Sequence, residues 1–226
     1  MGLRIELADR TVGGINRMTH EPEDEFRAEL AAALNAFKLD PLTDAQIGQL
    51  VRHYALLRRW NKHVNLTRII ESGEAAKLHY AESLFGAKFI AGARTVLDIG
   101  SGAGFPAIPL AVARPDVQVT ALEANQKKSL FLKEVKDELK LGNVEVATER
   151  LEAFDWAGYE LLTSRALDRA EEILPAIIEK MRSDQRLMLY CARDLIAKLE
   201  AHPGWKIETH TIPDSESRLI AMCSSE

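Results

Sequence analysis

The chain has 226 residues, of which 46% are apolar and 28% are charged, and its formal net charge is -5. This composition suits one globular α/β unit and argues against a protein that coats nucleic acid over its whole surface. No apolar run approaches the ~20 residues that span a bilayer, so we expect no membrane association. The two cysteines, Cys191 and Cys223, form no Cys-x-x-Cys pair, which indicates buried reduced thiols in a cytoplasmic protein.

The first part of the chain is predicted to be a leader followed by a helical extension. Residues 1–22 mix charge with glycine and predict a disordered leader, in which Met18 is a candidate start. Residues 23–92 form the predicted extension, in which Thr43 and Gln46 can make a capping box at the start of a helix. Tyr54 and Trp60 fit the apolar register of that helix and are assigned to the core. The predicted helices cover 25–37, 44–60 and 74–89.

Residues 93–226 change to short β-branched runs that alternate with helical stretches, which predicts βαβ units and a mostly parallel sheet. Only the turn 213–216 separates the last two strands, so these two must pair as an antiparallel hairpin. This order predicts a Rossmann-like class I methyltransferase domain. The predicted strands are 94–99, 117–123, 143–147, 159–164, 186–191, 205–212 and 217–224, and the predicted helices are 107–113, 126–140, 168–182 and 193–201.

A glycine-rich loop lies directly between the first of these strands and the next helix. Gly100, Gly102 and Gly104 lack the β-carbons that would keep a ligand away from the backbone. A dinucleotide site is disfavoured, because Phe105 breaks the G-x-G-x-x-G spacing and Asp98 would repel a pyrophosphate. No Gly-Lys-Ser/Thr follows the first glycine, so the loop is not a Walker loop.

S-adenosyl-L-methionine suits this loop better, since it carries an ammonium and a sulfonium and no phosphate. Asp98 then attracts the ligand instead of repelling it. Glu123 ends the second predicted strand, where a doubly wound sheet places the carboxylate that binds both ribose hydroxyls. The alternative is a plain glycine turn with two acids that cap helices, but the combined order of strand, loop, helix and acid favours cofactor binding.

A basic stripe covers residues 52–68, which include no carboxylate. One interpretation is that its charges suit the negative end of their helix. Because that leaves the absence of acids unexplained, we favour a contact with an RNA backbone. By contrast, the lysines of the helix after Glu123 are interpreted as a solvated face. The cations of the stripe are Arg52, Arg58, Arg59, Lys62 and Arg68.

Several separate blocks give the chain, from about residue 43 to its end, a family resemblance. They are RRWNKHVNLTRI, LHYAESL, DIGSGAGFPAIPLA, LEANQKKSLFLKEV, RLEAF and SRAL, in this order. The chain resembles the bacterial 16S ribosomal RNA guanine-N7 methyltransferases, also called the glucose-inhibited division protein B family. The resemblance implies S-adenosyl-L-methionine as cofactor and 16S rRNA or the small-subunit particle as partner. We further expect a monomer.

The resemblance also implies site residues. It places Gly100 and Phe105 in the cofactor loop, Glu123 on the ribose, Leu151 with Glu152 near the adenine, and Arg165 in the cofactor site. An alternative for Arg165 is an ion pair with Asp168. The chain departs from the family at Ala107 in the loop motif and in the late strand, where Arg193-Asp194 occupies the region of a usual Lys-Gly. This departure puts the substrate contacts in question, and Arg193 is a candidate RNA contact.

Guanine N7 has a lone pair and no proton to lose, so its methylation requires no general base. The histidines show no metal-ligand spacing and no Ser-His-Asp order, and we interpret them as surface or helix-packing residues. The predicted mechanism is therefore positioning alone. Two other functions remain open at this point: a methyltransferase of the same fold that acts on a protein or small molecule, and a non-catalytic RNA-binding assembly factor.

Overall fold

A computed structural model describes residues 22–165, 170–201 and 204–225. The predicted leader therefore lies outside the described residues, apart from Pro22, which begins the first helix. Asp168, the alternative partner of Arg165, and His202 also lie outside them.

The helical extension begins with two α-helices, α1 (Pro22–Ala36) and α2 (Asp44–Asn61). The capping box of α2 is confirmed: Thr43 Oγ1 accepts from the N–H of Gln46, and Gln46 Oε1 accepts from the N–H of Thr43 at 2.9 Å. The third predicted helix is present but irregular. It runs as α3 (Ser72–Glu74), a π-helix (Ala75–Ala81), α4 (Glu82–Phe85) and a 3₁₀ turn (Gly86–Lys88).

Within residues 22–165, 170–201 and 204–225, seven strands form one sheet in the order β3-β2-β1-β4-β5-β7-β6. The first five strands are parallel, and β7 pairs antiparallel with both β5 and β6, which confirms the predicted C-terminal hairpin. The strands are β1 (Thr95–Ile99), β2 (Gln118–Leu122), β3 (Val144–Ala147), β4 (Leu161–Ser164), β5 (Arg186–Ala192), β6 (Trp205–Thr211) and β7 (Arg218–Ser225).

In the connections that the structure describes, four helices link the strands, as the sequence predicts. Asn125 caps the second of them, because its side chain accepts from the N–H groups of Lys127 and Lys128. On this helix Lys136 pairs with Glu145. The helices are α5 (Ala107–Ala113), α6 (Gln126–Leu139), α7 (Ala170–Lys180) and α8 (Asp194–Glu200).

The sheet separates two apolar layers. Val96 of β1 faces the layer that contains α5, α6 and the helical extension, whereas Leu97 faces the layer with α7 and α8. Tyr54 is buried and Trp60 is half-buried against the first layer, which confirms their assignment to the core. Because side chains alternate along a strand, Asp98 lies on the same face as Val96, beneath the helical extension. Both cysteines are buried and free, as predicted.

Candidate functional site

The candidate site lies at the carboxyl end of β1, beside the point between β1 and β4 where the strand order reverses. Ligands of open α/β sheets bind at such switch points, beyond the carboxyl ends of the strands. The glycine loop is fixed there by backbone bonds: the N–H groups of Gly100 and Ser101 both donate to the carbonyl of Leu122, at 2.8 and 3.1 Å. The loop therefore joins the ends of β1 and β2.

Two glycines of the loop are needed for different reasons, although both have positive φ. Within 4 Å, and among the described residues, a β-carbon on Gly102 would meet just the carbonyl oxygen of Gly100, at 3.7 Å, so the space beside it is open. A β-carbon on Gly104 would lie 2.6 Å from Cγ1 of Ile108 and 3.2 Å from Cδ2 of Leu132. Gly102 thus leaves room for a ligand, whereas Gly104 allows the loop to pack against α5 and α6.

Glu123 follows β2 and holds the loop from the side. Its Oε2 accepts from the N–H of Gly102 at 2.9 Å, and its Oε1 accepts from the N–H of Asn125 at 2.8 Å. Each carboxylate oxygen has a second lone pair and can still accept a bond from a hydroxyl. This position agrees with the predicted ribose contact, which stays a prediction.

Asp98 is fully buried near the end of β1. Its Oδ2 accepts from the N–H of Ala107 at 3.3 Å, while Oδ1 has no hydrogen-bond partner among the described residues. Burial raises the pKa of this carboxyl from 3.8 to about 7, and the nearby Ser101 hydroxyl and the Ala107 N–H oppose the rise. The Ser101 hydroxyl donates to the backbone carbonyl of Asp98 at 3.0 Å and not to the carboxyl. A positive ligand charge beside Oδ1 would favour the ionised carboxylate and lower this pKa again.

His53 is a site residue that sequence reasoning missed. It comes from α2, is fully buried, and has Nε2 3.1 Å from the carbonyl oxygen of Ala103 in the loop. A carbonyl can only accept, so Nε2 donates this bond, and Nδ1 accepts from the hydroxyl of Tyr80 at 3.1 Å. Burial lowers the pKa of His53 to about 3, which keeps the ring neutral. His53 packs between helices, as predicted, but it also contacts Ala103 of the loop, which lies 50 residues further along the chain.

The ring of Phe105 is 7% exposed and packs inward. It stacks on His79 with ring centres 4.5 Å apart and meets Tyr80 edge-on at 5.0 Å. The ring therefore attaches the loop to the helical extension. A direct contact of Phe105 with the cofactor stays a prediction.

Arg165 directly follows β4, as expected, and its guanidinium reaches the helical extension. It donates to the carbonyl of Leu78, to the carbonyl of His79 at 3.3 Å, and to Oε2 of Glu82 at 3.1 Å. The acid that pairs with Arg165 among the described residues is thus Glu82. Oε1 of Glu82 accepts from Nε of Arg218 at 2.8 Å. Contact of Arg165 with a cofactor stays a prediction.

Leu151 and Glu152 lie beyond the carboxyl end of β3, next to the strand that ends at Glu123. Leu151 is half-buried against the α7/α8 layer, and Glu152 is exposed. Both are at the edge where the cofactor is expected, and their contact with adenine stays a prediction.

The predicted RNA contacts fall in two places. Arg59 pairs with Glu134 of α6, which also accepts from the indole N–H of Trp60 at 2.9 Å. Arg58 lies over the ring of Tyr54 at 5.7 Å, so part of the basic stripe serves its own helix. Lys62 and Arg68 are exposed. Arg193 is exposed at the carboxyl end of β5, on the same edge as the loop.

Comparison with known proteins adds a family to this geometry. A family model for rRNA small subunit methyltransferase G (GidB) matches residues 46–212. The chain is 40% identical to the ribosomal RNA small subunit methyltransferase G of Chromobacterium violaceum over 158 residues, which cover 70% of this chain and 75% of that protein. It is 37% identical to the protein of the same name from Xanthomonas campestris pv. campestris (strain 8004) over 207 residues, 88% of this chain and 95% of that one.

Solved structures share the fold. An O-methyltransferase from Bacillus cereus in complex with SAH has a TM-score of 0.59 at 15% identity, covering 89% of this chain and all of that one. The SAH-bound methyltransferase PaMTH1 of Podospora anserina has a TM-score of 0.59 at 12% identity, covering 95% of this chain and all of that one. At these identities the likeness concerns the fold, which is that of Rossmann-like methyltransferases.

Proposed function

We propose that this protein, which belongs to the rRNA small subunit methyltransferase G family, transfers a methyl group from S-adenosyl-L-methionine to N7 of a guanine in 16S rRNA. The observation that carries the proposal is the edge of the sheet at its switch point. Three features meet there on one loop: Oδ1 of Asp98, which has no hydrogen-bond partner among the described residues, the open space beside Gly102, and the carboxylate of Glu123.

These residues fit the chemistry of S-adenosyl-L-methionine. A buried carboxyl oxygen without a partner suits a ligand that brings N–H donors and positive charge. The space beside Gly102 lets such a ligand reach the backbone, and Glu123 can accept from two vicinal hydroxyls. In this proposal the loop from Asp98 to Gly104 holds the amino-acid end and Glu123 holds the ribose. Leu151 and Glu152 then border the adenine.

The protein's part in the reaction is to position the two reactants. The bound cofactor supplies an electrophilic methyl group, and guanine N7 supplies the lone pair that attacks it. Because N7 loses no proton, no side chain has to act as a base. The neutral His53 fixes the loop through Ala103. Alignment of the two reactants contributes ~7–11 kcal/mol in favourable cases.

The proposed partner is 16S rRNA, free or in the small-subunit particle, in the cytoplasm. Arg193 lies on the edge of the sheet that holds the loop, and Lys62 and Arg68 offer exposed charge for phosphates. Arg58 and Arg59 belong to the same proposed surface. In the described part of the chain, no helix combines the length and apolar character needed to cross a membrane.

Methyl transfer from labelled cofactor tests this proposal. The acceptors are 16S rRNA and small-subunit particles from a strain that lacks the gene, and the modified base is then mapped. We expect label on N7 of a guanine in one of these two acceptors, and none with the Glu123→Ala variant. Label found only on protein, or cofactor binding without any transfer to RNA, would contradict the proposal.

A further inference from the structure

The 62–70 loop, which lies between α2 and α3, is held in shape by the last residue of α2. Oδ1 of Asn61 accepts from two backbone N–H groups of this loop, at 2.9 and 3.0 Å. Its Nδ2 donates to the carbonyl of Thr67 at 3.0 Å. At the far end of the loop, the hydroxyl of Tyr54 donates to the carbonyl of Ile70 at 2.8 Å. The backbone of the 62–70 loop is therefore fixed before any partner binds.

The 62–70 loop is joined to the glycine loop through one imidazole. Oγ1 of Thr67 lies 2.8 Å from Nε2 of His79, which is a hydrogen-bond distance. The ring of His79 in turn stacks on the ring of Phe105, with ring centres 4.5 Å apart. Because Phe105 belongs to the glycine-loop motif, a partner seated on the 62–70 loop would lie close to the proposed cofactor site.

The 62–70 loop carries positive charge that the protein itself does not neutralise. Lys62 and Arg68 are exposed, and neither side chain makes a hydrogen bond or an ion pair with the residues that the structure describes. Arg59 of the same basic stripe differs, because it pairs with Glu134. Residues 52–68 include no carboxylate that could supply a countercharge. Exposed cations without countercharges attract a polyanion.

The fixed backbone makes this charge more effective in binding. Ordering a flexible loop on association costs conformational entropy and reduces affinity. Here the three bonds of Asn61 have already ordered the segment that carries Lys62 and Arg68. An RNA backbone is the polyanion that suits this position, since the neighbouring cofactor site is proposed to act on RNA.

We propose that the 62–70 loop is a preformed docking surface for the RNA backbone beside the target guanine, and that Asn61 is its positioning residue. Lys62 and Arg68 contact phosphates, whereas Asn61 carries no charge and acts through these two cations. The inference rests on the proposed function in taking RNA as the partner, and it adds to that proposal the residue that shapes the surface.

The salt dependence of RNA binding tests this role. Binding is measured at several salt concentrations with whichever of 16S rRNA and small-subunit particles the wild-type protein binds. Each phosphate contact contributes roughly 0.7–0.9 to the slope of log affinity against log salt concentration, so Lys62→Gln with Arg68→Gln should lower the slope by about 1.4–1.8. Asn61→Ala removes no charge, yet it should lower the slope by ~0.7 or more, because the two cations lose their fixed positions.

Two further variants complete the design. Adding Asn61→Ala to the double variant should lower the slope no further, because both changes remove the same contacts. Gln49→Ala is the matched control, since it also removes a neutral amide of α2 that donates to a backbone carbonyl, that of Leu139 at 2.9 Å. It should leave the slope unchanged. Calorimetric affinity of the double variant for S-adenosyl-L-methionine, without RNA, should stay within about twofold of wild type.

An unchanged slope in the double variant would overturn the inference. So would an Asn61→Ala protein that loses RNA affinity at an unchanged slope, because Asn61 would then only support the fold. A double variant that loses affinity for particles but not for the free 16S rRNA that wild type binds would assign the 62–70 loop to a ribosomal protein, and the inference would also fail.

Methyl transfer is followed in the same samples, so that this inference and the proposed function can fail separately. The expected slopes in a protein that transfers no methyl group to RNA would contradict the proposed function alone. Methylation of a guanine N7 with the same slope in all variants would contradict the docking surface alone.

Discussion

Replacing Asp98 by Asn tests whether a buried carboxyl is kept for a positively charged ligand at the expense of stability. The side chain is fully buried, Oδ2 accepts from Ala107, and Oδ1 has no partner among the described residues. Asn has nearly the same size and keeps an acceptor for the Ala107 N–H, but it carries no charge. The variant therefore separates the effect of charge from the effect of shape.

The expected magnitude follows from the pKa of Asp98, which burial raises from 3.8 to about 7. Since the folded protein holds the proton more tightly than the unfolded chain, the stabilising contribution is complete below pH ~4 and is lost as the pH rises through about 7. At ~1.36 kcal/mol for each pKa unit, wild type should lose about 2 to 3 kcal/mol between pH 5 and pH 8 from this group. The Asn variant has no carboxyl to ionise, so its free energy of unfolding should not show this fall.

Urea unfolding of both proteins at pH 5, 6, 7 and 8 measures the effect. The free energy of unfolding of the variant, relative to wild type, should rise by about 2 to 3 kcal/mol across this range and level off above pH 7. An unpartnered amide N–H adds a constant penalty, which cancels in the comparison across pH. The same variant should bind S-adenosyl-L-methionine more weakly. Parallel stability curves for the two proteins would refute the reasoning.

Three other predictions concern the loop and the basic stripe. Gly102→Val should fold but lose cofactor binding. Gly104→Val should instead lower the melting temperature sharply, because its β-carbon would meet Ile108 at 2.6 Å. An equal drop in melting temperature for both variants would contradict the separate roles of the two glycines. His53→Leu should weaken cofactor binding several-fold by calorimetry through loss of the bond to Ala103, and full affinity would show that the loop does not need it. Replacing Arg58, Arg59 and Lys62 together by Gln should reduce the salt slope of RNA binding by roughly 0.7–0.9 for each lost contact, with cofactor affinity intact. An unchanged slope would assign these charges to their helix.

The sequence by itself determined the architecture of the sheet domain. Alternating strands and helices over 93–226 predicted the parallel sheet, and the short turn after residue 212 predicted the antiparallel hairpin. The loop glycines, Asp98 and Glu123 could be found because each one is next to the end of its own strand. In a parallel sheet these ends meet at one edge, so local patterns were sufficient to place the residues together.

The tertiary structure alone decided how the helical extension takes part in the site. His53 reaches Ala103 across 50 residues, and Glu82 reaches Arg165 across 83 and Arg218 across 136. No local pattern encodes such pairs, because periodicity shows only that a side chain faces inward and not what it meets there. The π-helix was likewise hidden, since its apolar spacing is close to that of an α-helix. What decides these contacts is the packing of the extension over the face of the sheet that carries Asp98.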